Sequence, residues 1–291
     1  MTATSHARDC WAHWLAERRF GGDPERARTT LEKLGAVRDQ VLEHAQVKPG
    51  DVLLDVGCGD GLIAFGALDL VGESGEVVFA DISTDLLDEC RSRARELNLL
   101  DRCRFVEAAA DDLGPIADDS VDVVTTRSVL IYVKDKRRAF EEFHRVLRGE
   151  GRISLFEPIN TFCARGVWPY DFGPVADLKG KLDALYESIQ PPGEDPMLDF
   201  DERDLIRLAE NAGFFPIELD YRAEIVPIEP LPWETFLHMS GNPKIPTLEE
   251  AIDQVLTPEE AEQLTDHLRP LVEEGRGVWR MAHAFLWATN P

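Results

Sequence analysis

Basic residues are scarce. Lys and Arg total 31 against 55 Asp and Glu, and the formal net charge is −24. A surface so acidic repels phosphate backbones and anionic lipid, which makes nucleic acid and bare membrane poor partners. Solubility alone accounts for such a charge. Cysteine is sparse too: Cys10, Cys58, Cys90, Cys103 and Cys163 are scattered, odd in number and free of CxxC spacing. That argues against a disulfide framework or a thiolate zinc site and suits a reducing, cytoplasmic setting. No apolar run approaches the roughly 18 residues of a membrane span. The opening segment MTATSHARDCWAHW lacks the basic-then-apolar order of a signal peptide. Without a His/Asp/Glu cluster at ligand spacing, no metal site is expected.

The 291 residues are 44% hydrophobic, enough for a substantial core in one elaborated domain or two. Residues 1–48 read as a helical cap, with Val37, Val41, Leu42 and Ala45 at helical spacing and Pro49-Gly50 as its stop. Trp11 and Trp14, one turn apart, form either a packing face or a helix closing over a site. From Asp51 the pattern changes to short apolar runs alternating with helical stretches. Strands are expected at 51–56, 77–80, 104–106, 121–124 and 151–156, and helices from 61 to about 70, after Ser83 and at 135–148. That alternation predicts βαβ units, a parallel sheet and helices on both faces.

After Phe156 the rhythm breaks. Two proline-rich interruptions, 157–200 and 230–275, flank a helix at 201–212 and an extended stretch at 214–228. Within them, helices are expected near 178–189 and after Thr247 and Thr257. Long irregular stretches in a compact domain are usually lids or binding loops, and both are expected to serve as lids. Trp168, Tyr170 and Trp233 supply flat surfaces there that suit a planar aromatic substrate, as does Trp14, though core packing would use the same residues. Trp279 and Trp287 are assigned to packing, and His144 to a structural place in a core helix.

The most informative segment is VLLDVGCGDGL, residues 52–62. A strand ends, a glycine-rich turn follows and a helix begins, so Gly57, Gly59 and Gly61 let a ligand approach backbone amides and a helix N-terminus. The spacing is G-x-G-x-G, not the G-x-G-x-x-G of dinucleotide sites. Asp55, just before the loop, would be unfavourable beside a pyrophosphate but is compatible with an ammonium or sulfonium. Asp81, 20 residues beyond Gly61 at the end of the second strand, can accept from ribose hydroxyls.

In these motifs the sequence resembles the class I S-adenosylmethionine-dependent methyltransferases, over roughly residues 36–157. LLDVGCGDG, VVFADIS, FVEAAADDL and the stretch SVDVVTTRSVLIYV…RVLRGEGRISLFEP carry the likeness. The resemblance implies a Rossmann-like α/β fold: a seven-stranded, mostly parallel sheet, its last two strands supplied by 214–229 and 277–289. Residues 49–291 would form this domain, behind the helical extension and with the two lid insertions. It implies S-adenosylmethionine as cofactor, with Asp55, Gly57, Gly59, Asp81, Ile82, Ala110, Asp111 and Arg127 at cofactor positions and Arg38 toward the cofactor's carboxylate. Ala109 stands where many relatives carry Asp or Asn, which shifts the adenine contact to Asp111.

Methyl transfer needs alignment and dryness more than acid–base help. Where the nucleophile must lose a proton, Glu157 at the end of the fifth strand is the first candidate, followed by His238 and Tyr170. The expected substrate is a small, planar aromatic or heteroaromatic metabolite, indole-type included, methylated on carbon, nitrogen or oxygen. The Ala-, Arg- and Asp-rich composition resembles that of actinobacterial secondary-metabolism enzymes, antibiotic biosynthesis among them. A protein or lipid-quinone methyltransferase and a non-catalytic cofactor-binding subunit are the competing expectations. A homodimer is left open.

Overall fold

The computed structural model describes residues 8–163, 168–191 and 193–291. The chain opens with α1 (Cys10–His13), which continues as a π-helical turn (Trp14–Arg18), and α2 (Pro24–His44). The alternating part follows: β1 (Val52–Val56), α3 (Leu62–Val71), β2 (Glu76–Asp81), α4 (Thr84–Glu96), β3 (Cys103–Glu107), β4 (Val121–Arg127), α5 (Lys136–Val146) and β5 (Leu147–Pro158). Then come α6 (Ala176–Ile189), α7 (Glu202–Ala212), β6 (Ile217–Pro227), α8 (Trp233–His238), α9 (Leu248–Val255), α10 (Pro258–Glu273) and β7 (Val278–Thr289).

The strands form one seven-stranded sheet in the order β3-β2-β1-β4-β5-β7-β6. From β3 to β5 every pairing is parallel, while β7 runs antiparallel to β5, with Glu157 opposite Ala284. The Rossmann-like sheet implied by the motifs is therefore present, and its last two strands fall where expected.

Strand residues alternate between two apolar layers. Leu53, Val77, Phe79 and Val123 join α2, α3 and α4 on one face; Leu54, Val78, Val124 and Ile153 join Phe140 and Phe143 of α5 and Leu205 of α7 on the other. Each such side chain contributes roughly 1.5–3 kcal/mol on burial, so this double-sided core fixes the sheet and the helices on it. Helix starts follow their caps. Ser83 accepts from the Leu86 amide, and Thr247 and Thr257 each form a reciprocal capping box with the Glu three residues on.

The chain divides into two compact units. The larger comprises residues 30–160, 196–222 and 282–291; the smaller comprises 1–29, 161–195 and 223–281. The smaller has its own core, in which Tyr170, Phe172, Leu182, Trp233, Ala251, Leu264 and Leu268 are buried. α2 begins among residues of the smaller unit and ends among those of the larger. Trp287 does pack, stacked on His44 with centroids 3.8 Å apart, but Trp279 is 44% exposed, contrary to expectation. Both tryptophans lie on β7; Trp287 is on the inner stretch that pairs with β5, Trp279 before that pairing begins.

Candidate functional site

Parallel strands end on one edge of a sheet. The chain runs from β1 outward to β2 and β3, then crosses to β4 on the other side of β1. Ligands of open α/β sheets bind at such a reversal, outside the carboxyl ends of the strands. Four segments meet that edge here: the glycine loop after β1, Asp81 ending β2, Arg127 ending β4, and Glu157 near the end of β5.

The loop holds a shape that side chains would spoil. Gly57, Gly59 and Gly61 have φ of 65°, 55° and 80°, in the left-handed region. A Cβ on Gly57 would come within 2.3 Å of Val129 Cγ2, so the turn after β4 packs directly on the loop's backbone. Asp81 ties the loop to β2: its Oδ2 accepts from the Gly59 amide at 2.8 Å and its Oδ1 from the Ser83 amide at 2.9 Å. Ile82, next to it, is 51% exposed. The buried thiols of Cys58 and Cys90 lie against the Gly59 carbonyl, at 3.9 and 3.4 Å. Hydrogen bonding to Cys90, then burial, raises the Cys58 thiol well above its ordinary range.

Asp55 is buried, and its carboxylate is engaged from behind the loop. It accepts from the Ala64 amide at 3.1 Å and the Thr125 hydroxyl at 2.9 Å. It therefore joins the first turn of α3 to β4. Burial pushes its pKa up to about 7 against the opposing hydrogen bonds of Thr125 and Ala64. Arg127 is half-buried, and its guanidinium makes no hydrogen bond or ion pair among the described residues; it acts through space on Asp55 and Glu157, a cation at the strand edge. Ala110 is buried and Asp111 half-buried after β3, beside a short bridge between Ala109 and Asp112. Arg38 lies on α2. Its guanidinium pairs with Asp39 at 2.7 Å, and its stem lies against Gly66, one turn into α3. There it lines a cavity of about 1040 Å³ with Leu42, Asp60, Gly61, Phe65 and Arg93.

Cradle, carboxylate and guanidinium fit an adenosyl amino acid: a backbone bare of side chains at Gly57, Gly59 and Gly61, an acceptor at Asp81, a cation at Arg127. A methyltransferase-domain family profile matches residues 54–155, from β1 into β5. The ubiquinone/menaquinone biosynthesis C-methyltransferase UbiE of Teredinibacter turnerae is 32% identical over 179 residues, covering 60% of this chain and 70% of that protein. The chain belongs to the class I S-adenosylmethionine-dependent methyltransferases. An arsenite methyltransferase of Halobacterium salinarum is 30% identical over 174 residues, which cover 54% of this chain and 42% of that one. Among solved structures, the geranyl diphosphate C-methyltransferase of Streptomyces coelicolor A3(2), with Mg2+, geranyl-S-thiolodiphosphate and S-adenosyl-L-homocysteine, superposes at TM-score 0.54 and 18% identity. It covers 94% of this chain and 85% of that chain, and at such identity the likeness is one of fold. No helix among the described residues of this methyltransferase is long and apolar enough to cross a membrane.

The remaining candidates belong to the smaller unit. Trp14 donates from Nε1 to the Ser240 carbonyl at 3.0 Å, and Trp168 from Nε1 to Asp183 Oδ1 at 3.0 Å. Tyr170 and Trp233 are buried, and both rings pack near Phe236, with centroids 5.5 and 5.8 Å from it. The Tyr170 hydroxyl is buried without a hydrogen-bond partner among the described residues, and burial raises its pKa. His238 Nε2 lies 3.1 Å from Glu249 Oε2, both side chains being about half exposed. His144 is in the larger unit, edge-on to Phe214 and beside Gly213.

Asp55 gives the methyltransferase a pH signature. The folded chain raises its pKa from 3.8 to about 7, so folding prefers the neutral acid. The stability this contributes is intact below the unfolded value and lost as pH rises through about 7. In Asp55→Asn the amide oxygen still accepts from Ala64 and the amide nitrogen can donate to Thr125 Oγ1. This variant is expected to lose less stability than the natural chain between about pH 4 and 8, by on the order of 2–4 kcal/mol. Urea unfolding at both ends of that range checks it; parallel pH profiles would remove Asp55 as the cause.

Proposed function

We propose that this methyltransferase acts on a small, planar, neutral aromatic acceptor and methylates a ring carbon. The observation that carries this is the Tyr170 hydroxyl, buried and unpartnered within an aromatic cluster. An unsatisfied buried hydroxyl costs about 1–3 kcal/mol, which a polar atom on a bound ring would recover. The half-buried Trp168 ring, 5.1 Å from Phe172, adds a flat apolar surface beside it. A strongly acidic chain offers little to an anion. Carbon is favoured as acceptor because relatives such as the Teredinibacter turnerae protein are named for C-methylation.

S-adenosylmethionine supplies an already activated methyl group when bound. The work left to the chain is alignment, desolvation and removal of the ring proton. Tyr170 orients the acceptor through its hydroxyl. His238, with Nε2 turned to Glu249, keeps its other ring nitrogen for the proton. We take the smaller unit, which holds residues 161–195 and 230–275 of the two insertions, as the acceptor-binding part. A lipid-quinone precursor is the second acceptor, favoured by the ubiquinone/menaquinone relatives.

The test is transfer of an isotopically labelled methyl group to a panel of indoles, phenols, prenylated quinols and organic diphosphates. Label on a ring carbon of a small neutral aromatic is the expected result, with turnover falling about tenfold or more in Tyr170→Phe. Label confined to prenylated quinols would select the second acceptor, and label on diphosphates alone would overturn both.

A further inference from the structure

We propose that Glu157 is a positioning residue for the cofactor: from β5 it holds the turn after β4 against the glycine loop, and so sets the loop's shape for S-adenosylmethionine. We rest this on the glycine loop being the adenosyl site.

The carboxylate is fully buried, and both of its oxygens are engaged. Oε1 accepts from the amides of Val129 and Leu130 at 2.9 Å each, and Oε2 from the amide of Ile131 at 3.3 Å. These are the first amides of a short 3-10 turn, Leu130–Tyr132, whose preceding residue has no side-chain cap. A carboxylate arriving from another strand supplies that cap. The turn needs holding, because Ser128 enters it with φ of 57°, a left-handed conformation unfavourable for serine. The Ser128 amide donates to the Phe156 carbonyl at 2.8 Å, so β5 grips the turn at two adjacent residues. On the other side of the turn, Val129 presses on Gly57 with no room for even one added carbon. The chain of contacts is thus Glu157, the Val129–Ile131 amides, the Val129 side chain, Gly57.

A group with both oxygens taken by amides is poorly placed to collect a proton from an acceptor. It is well placed to make the loop sensitive to its own charge. Three amide donors bind best to the ionised form; a proton on either oxygen is a donor facing donors. Burial raises the pKa of Glu157 to about 7, opposed by the amides of Leu130, Val129 and Ile131 and by Arg127. The charged and titratable surroundings are few. On β4 the group faces Arg127; on β7 it lies opposite Ala284, with His283 one place along; the 3-10 turn offers amides and carries Tyr132. Asp55, behind the loop, titrates in the same range.

The experiment is calorimetric titration of the full chain with S-adenosylhomocysteine between about pH 5.5 and 8. In the natural chain, affinity is expected to fall as the pH drops below about 7. Glu157→Gln retains one accepting oxygen but turns an NH2 toward an amide; its affinity at pH 8 is expected to be about tenfold weaker or more. Its pH dependence should be shallower, the remainder belonging to Asp55. A purely structural role would lower the melting temperature and leave the slope unchanged. Natural affinity and slope in a folded Glu157→Gln protein would overturn the proposal. Should that variant fail to fold, Val129→Ala keeps the carboxylate and trims the side chain that meets Gly57; unchanged affinity there would overturn the proposal equally. Failure of the natural chain to bind S-adenosylhomocysteine would instead count against the adenosyl site itself.

Discussion

A Gly57→Val protein is expected to bind S-adenosylhomocysteine at least about 100-fold more weakly than the natural chain while remaining folded. Two costs fall on one position. The residue sits at φ 65°, where a β-branched side chain is strained by about 1–2 kcal/mol. Its first carbon would also lie 2.3 Å from Val129 Cγ2, and such overpacking typically costs about 1–3 kcal/mol. Relief is available only by moving the loop or the turn after β4, and either displaces the amides a cofactor would meet. The strand below should hold, since β1 is hydrogen-bonded on both flanks and its side chains are buried on both faces. Calorimetry paired with circular dichroism checks the expectation. A folded variant whose affinity lies within about threefold of natural would remove this loop from the cofactor site.

Asp81→Ala is expected to weaken the same binding by about 1.5–3 kcal/mol, the order for a lost charge-assisted hydrogen bond, or about 10- to 150-fold. Asp81 stands at the carboxyl end of β2 and already holds the Gly59 and Ser83 amides at 2.8 and 2.9 Å. The alanine variant therefore loses both an acceptor and a tether on the loop. Asp81→Asn keeps one carbonyl oxygen and should fall between. If alanine binds as well as aspartate, ribose recognition belongs elsewhere.

What could be read from the sequence was what is local in it. The glycine loop, its strand and its helix are consecutive, from Val52 to Val71, and their order states the geometry outright. Helices were expected after Thr247 and Thr257 in the same way, and the hydrophobic rhythm announced the sheet. What could not be read depends on partners far along the chain. Asp55 looked like a group facing the cofactor, yet it is satisfied by Thr125, 70 residues away, and by the first turn of α3. The one available signal was a pair of threonines, Thr125 and Thr126, directly after the apolar Val123-Val124 of the same strand. Glu157 looked like a free base at a strand end, yet its partners are amides 26 to 28 residues earlier. Backbone amides leave no mark in a sequence, and nothing about Val129 marked it as the residue lying on Gly57. The aromatics at 168, 170 and 233 were equally consistent with core and site, and most of their area is now seen to build the smaller unit's core.

The strand order carries a consequence for how the molecule is made. β7 is the last strand in the chain, yet it lies between β5 and β6. While a ribosome is still producing residues before 278, β6 has no neighbour and one flank of β5 is open. Each presents a row of unsatisfied backbone groups, and β6 also carries exposed Tyr221, Ile225 and Val226. The β3-to-β5 half of the sheet can assemble as it emerges, because each of its pairings is complete once β5 is out. The other half waits for one segment of twelve residues, Val278–Thr289, to slot between two strands already made. Nascent chains halted just short of that segment should be the sticky species, dependent on chaperones, and those halted just past it should not.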